Sequence, residues 1–117
     1  MKSSSLETLR EDVRQFARER DWEQFHSPKN LAVGLSVEAS EIREHFQWLS
    51  EDESADLSKD KKEAVRLELA DVFIYLIRLA DTLGLDLIAA ARDKLAVNAE
   101  KYPVEKAKGS AIKYDKL

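Results

Sequence analysis

Residues 58–83 constrain this chain more than any other stretch. Ser58 offers a helix cap, and neither glycine nor proline follows until Gly84, which suits the left-handed position after a helix end. From Val65 to Ala80 the residues are apolar nearly all round a helix, and Glu68, Asp71, Tyr75 and Arg78 interrupt them along one stripe. A helix of this kind must be covered on most sides. Three other short helices would not cover it, so a homo-oligomer is expected, in which helices of two subunits complete one bundle.

The remaining punctuation supports an all-α chain of four to five helices in one domain, residues 1–117. There are three glycines and two prolines among 117 residues. Leu6, Leu9, Val13 and Phe16 repeat at helical spacing and predict a first helix over 6–20. The connector Asp21-Trp22-Glu23-Gln24-Phe25-His26 follows. Ser27-Pro28, a capping hydroxyl and then proline, starts a second helix that runs to about Trp48. Its core stripe is Leu35, Ala39, Ile42 and Phe46, bordered by a second stripe of Leu31, Gly34, Glu38, Glu41, His45 and Trp48. Residues 49–60 are acidic and polar and read as a surface loop. A fourth helix runs from a cap at Asp86 to about Glu100, and residues 102–117 read as an extended polar tail.

Two acid pairs carry the chemistry: Glu38-Ala-Ser-Glu41 and Glu68-Leu-Ala-Asp71. Residues three apart on a helix share a face, with Cβ atoms about 5–6 Å apart. Clustering four like charges beside a core is costly unless cations neutralise them. Glu44 and Glu63 read as ordinary surface charge, but Glu68 and Asp71 are flanked by Leu67, Leu69, Ala70, Val72 and Phe73. Carboxylate di-iron bundles need Glu-x-x-His twice, and positions 44 and 74 are glutamate and isoleucine. Ligation by oxygen alone points to Mg²⁺, or Mn²⁺, with Glu38, Glu41, Glu68 and Asp71 as ligands. Mg²⁺ commonly binds substrate phosphates too, so phosphate transfer or hydrolysis is the expected reaction class.

Lys94, Asn98 and Lys101 share one helical face and could meet phosphates; a solvated surface explains them equally well. Trp22 and Trp48 could stack on a base, or fill core. Tyr75, one turn beyond Asp71, could bond substrate or close the core, and His26 could be an ordinary loop residue. Net charge is −4 with signs interspersed, which disfavours a polymeric nucleic acid partner. No apolar run is long enough to cross a membrane, and Met1 to Ser5 lead into a charged helix. The absence of cysteine is compatible with a cytoplasmic protein.

Together, Asp21-Trp22-Glu23-Gln24-Phe25-His26, Asn30-Leu31, Glu38-x-x-Glu41, Phe46-Gln47-Trp48, Glu68-Leu-x-Asp71-Val72, Lys101-Tyr102-Pro103 and Lys113-Tyr114 resemble the MazG-like all-α nucleoside triphosphate pyrophosphohydrolases, in particular their dCTP pyrophosphatase branch. The resemblance spans roughly residues 6–116. It implies cleavage of a nucleoside triphosphate, dCTP or a modified dCTP, to monophosphate and pyrophosphate in nucleotide-pool housecleaning. It implies Mg²⁺ on the four acids, with Glu41, or alternatively Glu38, activating water. Trp22, His26, Trp48 and Tyr75 would then shape the nucleotide pocket, Lys94, Asn98 and Lys101 would face the phosphates, Tyr102 would also bind substrate, and the assembly would be a dimer or a dimer of dimers. The chain departs from its relatives in having Val37 and Ser40 where glycines are frequent, and Ala99 and Glu100 where basic residues are frequent. Three rivals remain: a redox bundle, a nucleotide sensor without turnover, and a helical interaction module whose acids form intersubunit salt bridges, an idea supported by Arg78 and Lys61 on the stripe of Glu68 and Asp71.

Overall fold

The computed structural model describes residues 5–117; the first four residues, read above as part of a non-leader N-terminus, lie outside that range. Six α-helices occur in the order α1 Leu6–Glu19, α2 Pro28–Phe46, α3 Glu51–Ala55, α4 Lys59–Thr82, α5 Leu87–Lys101 and α6 Val104–Ala107. Turns of 3-10 helix span Glu23–Phe25 and Tyr114–Lys116, and no strand occurs among the described residues. No helix among them is long and apolar enough to cross a membrane. Contacts divide the chain into two compact units, residues 1–84 and 85–117.

Side-chain caps start the longer helices where the sequence placed them. The hydroxyls of Ser5, Ser27 and Ser58 accept from the backbone N–H of Thr8, Asn30 and Lys61, and the Asp86 carboxylate accepts from Ala89. Each satisfies one of the unpaired N–H groups of a first helical turn. Gly84, at φ 67, closes α4 in the left-handed region that costs glycine little.

The end of α1 has consequences for the site. Asp21 takes φ 53, one of the few side chains that tolerates that conformation. Its N–H reaches Arg18 O at 3.0 Å, and the next N–H, of Trp22, reaches back to Ala17 O at 2.9 Å. These are the two bonds of a Schellman ending. They fold Trp22 back against Phe16, ring centroids 5.7 Å apart and edge to face. The reversal aims the connector at the helix pair α2–α4.

In the first unit α4 packs chiefly on α2, and also on α1. Its core residues are Ala17, Leu31, Val65, Ile77 and Ala80. An ion pair fastens α1 to α4: the Arg14 guanidinium donates to both oxygens of Asp81, Nε at 2.9 Å and Nη2 at 2.6 Å. That hydrogen-bonded partner holds the Asp81 carboxyl below its usual range, and the nearby Arg10 and Arg78 act the same way. A lowered folded pKa stabilises above the unfolded carboxylate range, and the contribution fades as pH falls through the folded value. Arg14→Met is expected to lower the melting temperature at pH 7, because it removes a bidentate charge-assisted pair. The loss should shrink in thermal melts taken below about pH 4.

Four expectations are corrected. The 49–60 segment contains α3, begun by a reciprocal box in which Ser50 and Glu53 each bond the other's backbone N–H. The tail after Lys101 is not uniformly extended, because Pro103 starts α6 and Tyr114–Lys116 makes a further turn. The second helix stops at Phe46, so Trp48 lies beyond it. On α2 the most buried side chain is Leu31, while Ala39 is exposed. The acids therefore share the packed face rather than border it.

In the second unit, Lys101 sets its ammonium over the Tyr114 ring at 4.7 Å, and Tyr102 meets that ring edge to face. Asn98 is half-buried, and Lys94 is exposed.

Candidate active site

Glu38 and Glu41 come from the middle of α2, and Glu68 from the middle of α4. Packing those helices brings one carboxylate oxygen of each within 4.8 Å of the other two. All three are half-buried. Asp71, one turn further along α4, is exposed and stands outside that trio, but its charge reaches both Glu38 and Glu68.

The crowding shows in their acidity. Burial first, then the hydrogen bond to Glu41 and the charges of Glu41, Asp71 and Glu68, push the Glu38 carboxyl upward. The hydrogen bond to Glu41, then burial and the same neighbours, push Glu68 upward, while His45 pulls it back. His45 Nε2 lies 3.9 Å from Glu68 Oε1 and borders the cluster.

Glu68 Oε2 decides whether a cation fits. It is buried and has no hydrogen-bond partner. An ionised oxygen buried without a donor is costly, and a dication is the simplest group that satisfies it. The donors around it are hard oxygens only, the set that suits Mg²⁺ or Mn²⁺. Arg78 does not neutralise the acids. It bonds His26 and faces Asp81.

Beside the acids lies an aromatic hollow. Trp22, Phe25, His26, Asn30, Leu31 and Tyr75 line a cavity of about 330 Å³, within the range of roughly 300–1,000 Å³ usual for small-molecule sites. A second, smaller cavity shares Trp22, His26, Leu31 and Tyr75 and adds Arg78. Trp22, His26 and Tyr75 thus come together as the sequence suggested. Asn30 and Phe25 were seen only as parts of a motif; the Asn30 side-chain amide donates to Phe25 O at 3.0 Å, which ties the connector to α2. Trp48 does not join them: it is 86% exposed in the turn after α2 and lines none of these cavities.

Gly34 lies on the same face of α2, one turn before Glu38. A Cβ there would collide with the edge of the Tyr75 ring at Cε1, with Cζ at 3.0 Å and Cδ1 at 3.1 Å. The helix gains about 1 kcal/mol when alanine replaces glycine, but overpacking costs about 1–3 kcal/mol. Gly34→Ala is therefore expected to change the melting temperature little while displacing Tyr75 from the cavity wall. The readout is tyrosine-to-ligand contact in nuclear Overhauser spectra, together with weaker nucleotide binding.

The comparisons with known proteins agree with this geometry. The model of the MazG-like family matches residues 33–117, which include all four acids. The chain belongs to the MazG-like family. Over nearly its full length it is also similar to dCTP pyrophosphatase 1 of Rattus norvegicus, 45% identical across 98% of this chain and 71% of that protein. With dCTP pyrophosphatase 1 of Homo sapiens it shares 41% identity over 98% and 71%. Among solved structures, a pyrophosphatase from Archaeoglobus fulgidus DSM 4304 superposes with a TM-score of 0.81 at 39% identity, covering 88% of this chain and 96% of that one. The MazG-like match begins after the Trp22–Asn30 connector; the similarity to the mammalian proteins includes it.

Proposed function

We propose that this MazG-like chain is a Mg²⁺-dependent nucleoside triphosphate pyrophosphohydrolase that converts dCTP, or a modified dCTP, to dCMP and pyrophosphate. The buried Oε2 of Glu68, without a hydrogen-bond partner among like charges, carries the reading; the basic group beside this carboxylate, His45, lies 3.9 Å from its other oxygen. Glu38, Glu41 and Glu68 would hold Mg²⁺, with Asp71 at the edge of the site. When bound, the dication neutralises phosphate charge and makes an attacking water more acidic. Glu41, whose carboxylate lies within 4.8 Å of those of Glu38 and Glu68, would orient that water and take its proton, with Glu38 as the alternate base. Attack in line with the α–β anhydride then releases pyrophosphate.

Trp22, His26 and Tyr75 receive the base, and stacking there contributes about 1–3 kcal/mol. The names of the mammalian relatives support dCTP as the substrate. Trp48, Lys94, Asn98, Lys101 and Tyr102 remain in the proposal as substrate residues on the strength of the resemblance. The same reading places the enzyme in the cytoplasm, where nucleotide pools turn over, and gives it no polymeric nucleic acid partner.

The protein acts as a homo-oligomer. The outward faces of α2 and α4 expose Val33, Val37, Leu67, Leu69, Phe73 and Ile74. An open groove beside α4 is walled by Leu57, Val65, Leu69 and Phe73. So much apolar surface on one helix pair favours a second copy as its cover.

The test is a panel of canonical and modified triphosphates with Mg²⁺, scored for monophosphate and pyrophosphate. Pyrophosphate release with dCTP preferred is the expected outcome. Release of orthophosphate, or no turnover of any triphosphate, contradicts it.

A further inference from the structure

His26 is joined to α4 by one hydrogen bond that fixes more than its position. Arg78 Nε donates to His26 Nδ1 at 3.1 Å, across 52 residues of sequence. A guanidinium has donors only and does not lose its proton at biological pH. The imidazole nitrogen facing it must therefore carry a lone pair. The single proton of the neutral ring is left on Nε2, and His26 lines the aromatic cavity. No acceptor among the described residues hydrogen-bonds that Nε2.

Arg78 is itself held. It is 8% exposed, and its Nη1 lies 3.7 Å from Asp81 Oδ2, the oxygen that also accepts from Arg14 Nε. The relay runs Arg14, Asp81, Arg78, His26, from α1 through α4 to the cavity wall.

We propose that Arg78 is a positioning residue that locks His26 as the neutral Nε2–H form, so that a single N–H donor in the aromatic cavity selects a base whose ring N3 is an acceptor. Cytosine presents such a nitrogen. Thymine and uracil present N3–H, which would oppose the donor. This rests on the reading that the cavity receives the base, and it extends that reading to how the base is chosen. A site that offers one fixed donor discriminates against a partner that leaves the donor unpaired.

The charged groups near the ring agree. Burial, and then the Arg78 charge, lower the pKa of His26, while Glu23 on the neighbouring 3-10 turn opposes them. Asp81 faces Arg78 rather than the ring and is paired with Arg14. Ring protonation should therefore set in at a lower pH than for an ordinary imidazole, and selectivity should persist correspondingly further.

Nitrogen-15 spectra of histidine in the unliganded protein provide the decisive test, since they need neither substrate nor turnover. His26 is expected to show the Nε2–H pattern wherever the ring is neutral, and to titrate below the ordinary value. Arg78→Met should give mixed tautomers and a titration nearer the ordinary value of about 6.5. Arg78→Lys, which keeps a cationic donor, should restore much of the wild-type pattern. In kinetics with the full chain, Arg78→Met should raise KM for dCTP at least tenfold with kcat within about threefold, and narrow the preference for dCTP over both dTTP and 3-deaza-dCTP. Circular dichroism checks that the variant is folded. An Nδ1–H pattern or an ordinary titration in an active wild-type enzyme overturns the proposal alone. A locked tautomer in a protein that cleaves no triphosphate overturns base selection together with the proposed function.

Discussion

Glu41→Gln lowers pyrophosphate release from dCTP by about 10²–10⁴-fold, the usual worth of a general base, while the metal-free protein becomes more stable at pH 7 rather than less. The two effects have one cause. Glu41 raises the pKa of both Glu38 and Glu68, which makes each carboxyl a weaker acid. A carboxyl whose folded pKa lies above its unfolded value binds its proton more tightly in the native state. Ionising it therefore costs native stability as pH rises through the unfolded value, about 4.3 for glutamate, toward the raised folded one. Removing Glu41 relieves that repulsion without emptying the core, because glutamine keeps the volume. In thermal melts with chelator, the gain should be present at pH 7 and fade below about pH 4. Added Mg²⁺ should raise the wild-type melting temperature more than that of the variant. A variant that keeps full turnover, or that is destabilised at pH 7 with chelator, contradicts the assignment.

Phe73→Glu is expected to dissociate the oligomer by about a thousandfold or more in Kd. Phe73 is 44% exposed and Leu69 54%, both beside the groove on α4. Truncating a central aromatic commonly costs 2–4 kcal/mol at an interface. A charge buried there costs more, and in a two-fold interface the change occurs twice. Sedimentation velocity at micromolar concentration should show the wild type larger than a monomer and the variant monomeric. A wild type that sediments as a monomer contradicts the oligomer. Helix content in the variant should persist, since α4 keeps its contacts with α2 and α1.

What was legible in the sequence was local or periodic. Ser27-Pro28, Ser58 and Asp86 announced their helices because a cap acts within three residues. The three-residue spacing of Glu38 with Glu41, and of Glu68 with Asp71, announced a shared face. The Ser50-x-x-Glu53 box was also local, but no apolar run follows it, and so α3 read as loop. The reversal at Asp21 left no mark, since an aspartate in the left-handed region looks like any other in sequence. It is nevertheless what turns Trp22 back onto Phe16.

Residues far apart in sequence were the harder part. Arg78 interrupted an apolar stripe and read as a candidate partner for the acids. Its actual partner, His26, lies 52 positions away and could not be paired by spacing. Trp48 continued the acid stripe only if α2 ran to its position, and α2 stops at Phe46. The apolar excess of Val65–Ala80 is not fully covered among the described residues: Leu67, Leu69, Phe73 and Ile74 stay exposed.

The claim beneath all of this is that carboxylates from α2 and α4 hold a divalent cation together. Titrating the metal-free protein with Mn²⁺, followed by electron paramagnetic resonance, tests it directly. The account predicts saturable binding by the wild type, displaced by Mg²⁺ and largely lost in Glu68→Gln. A wild type that leaves Mn²⁺ free in solution, or a Glu68→Gln protein that binds it equally well, would contradict the account.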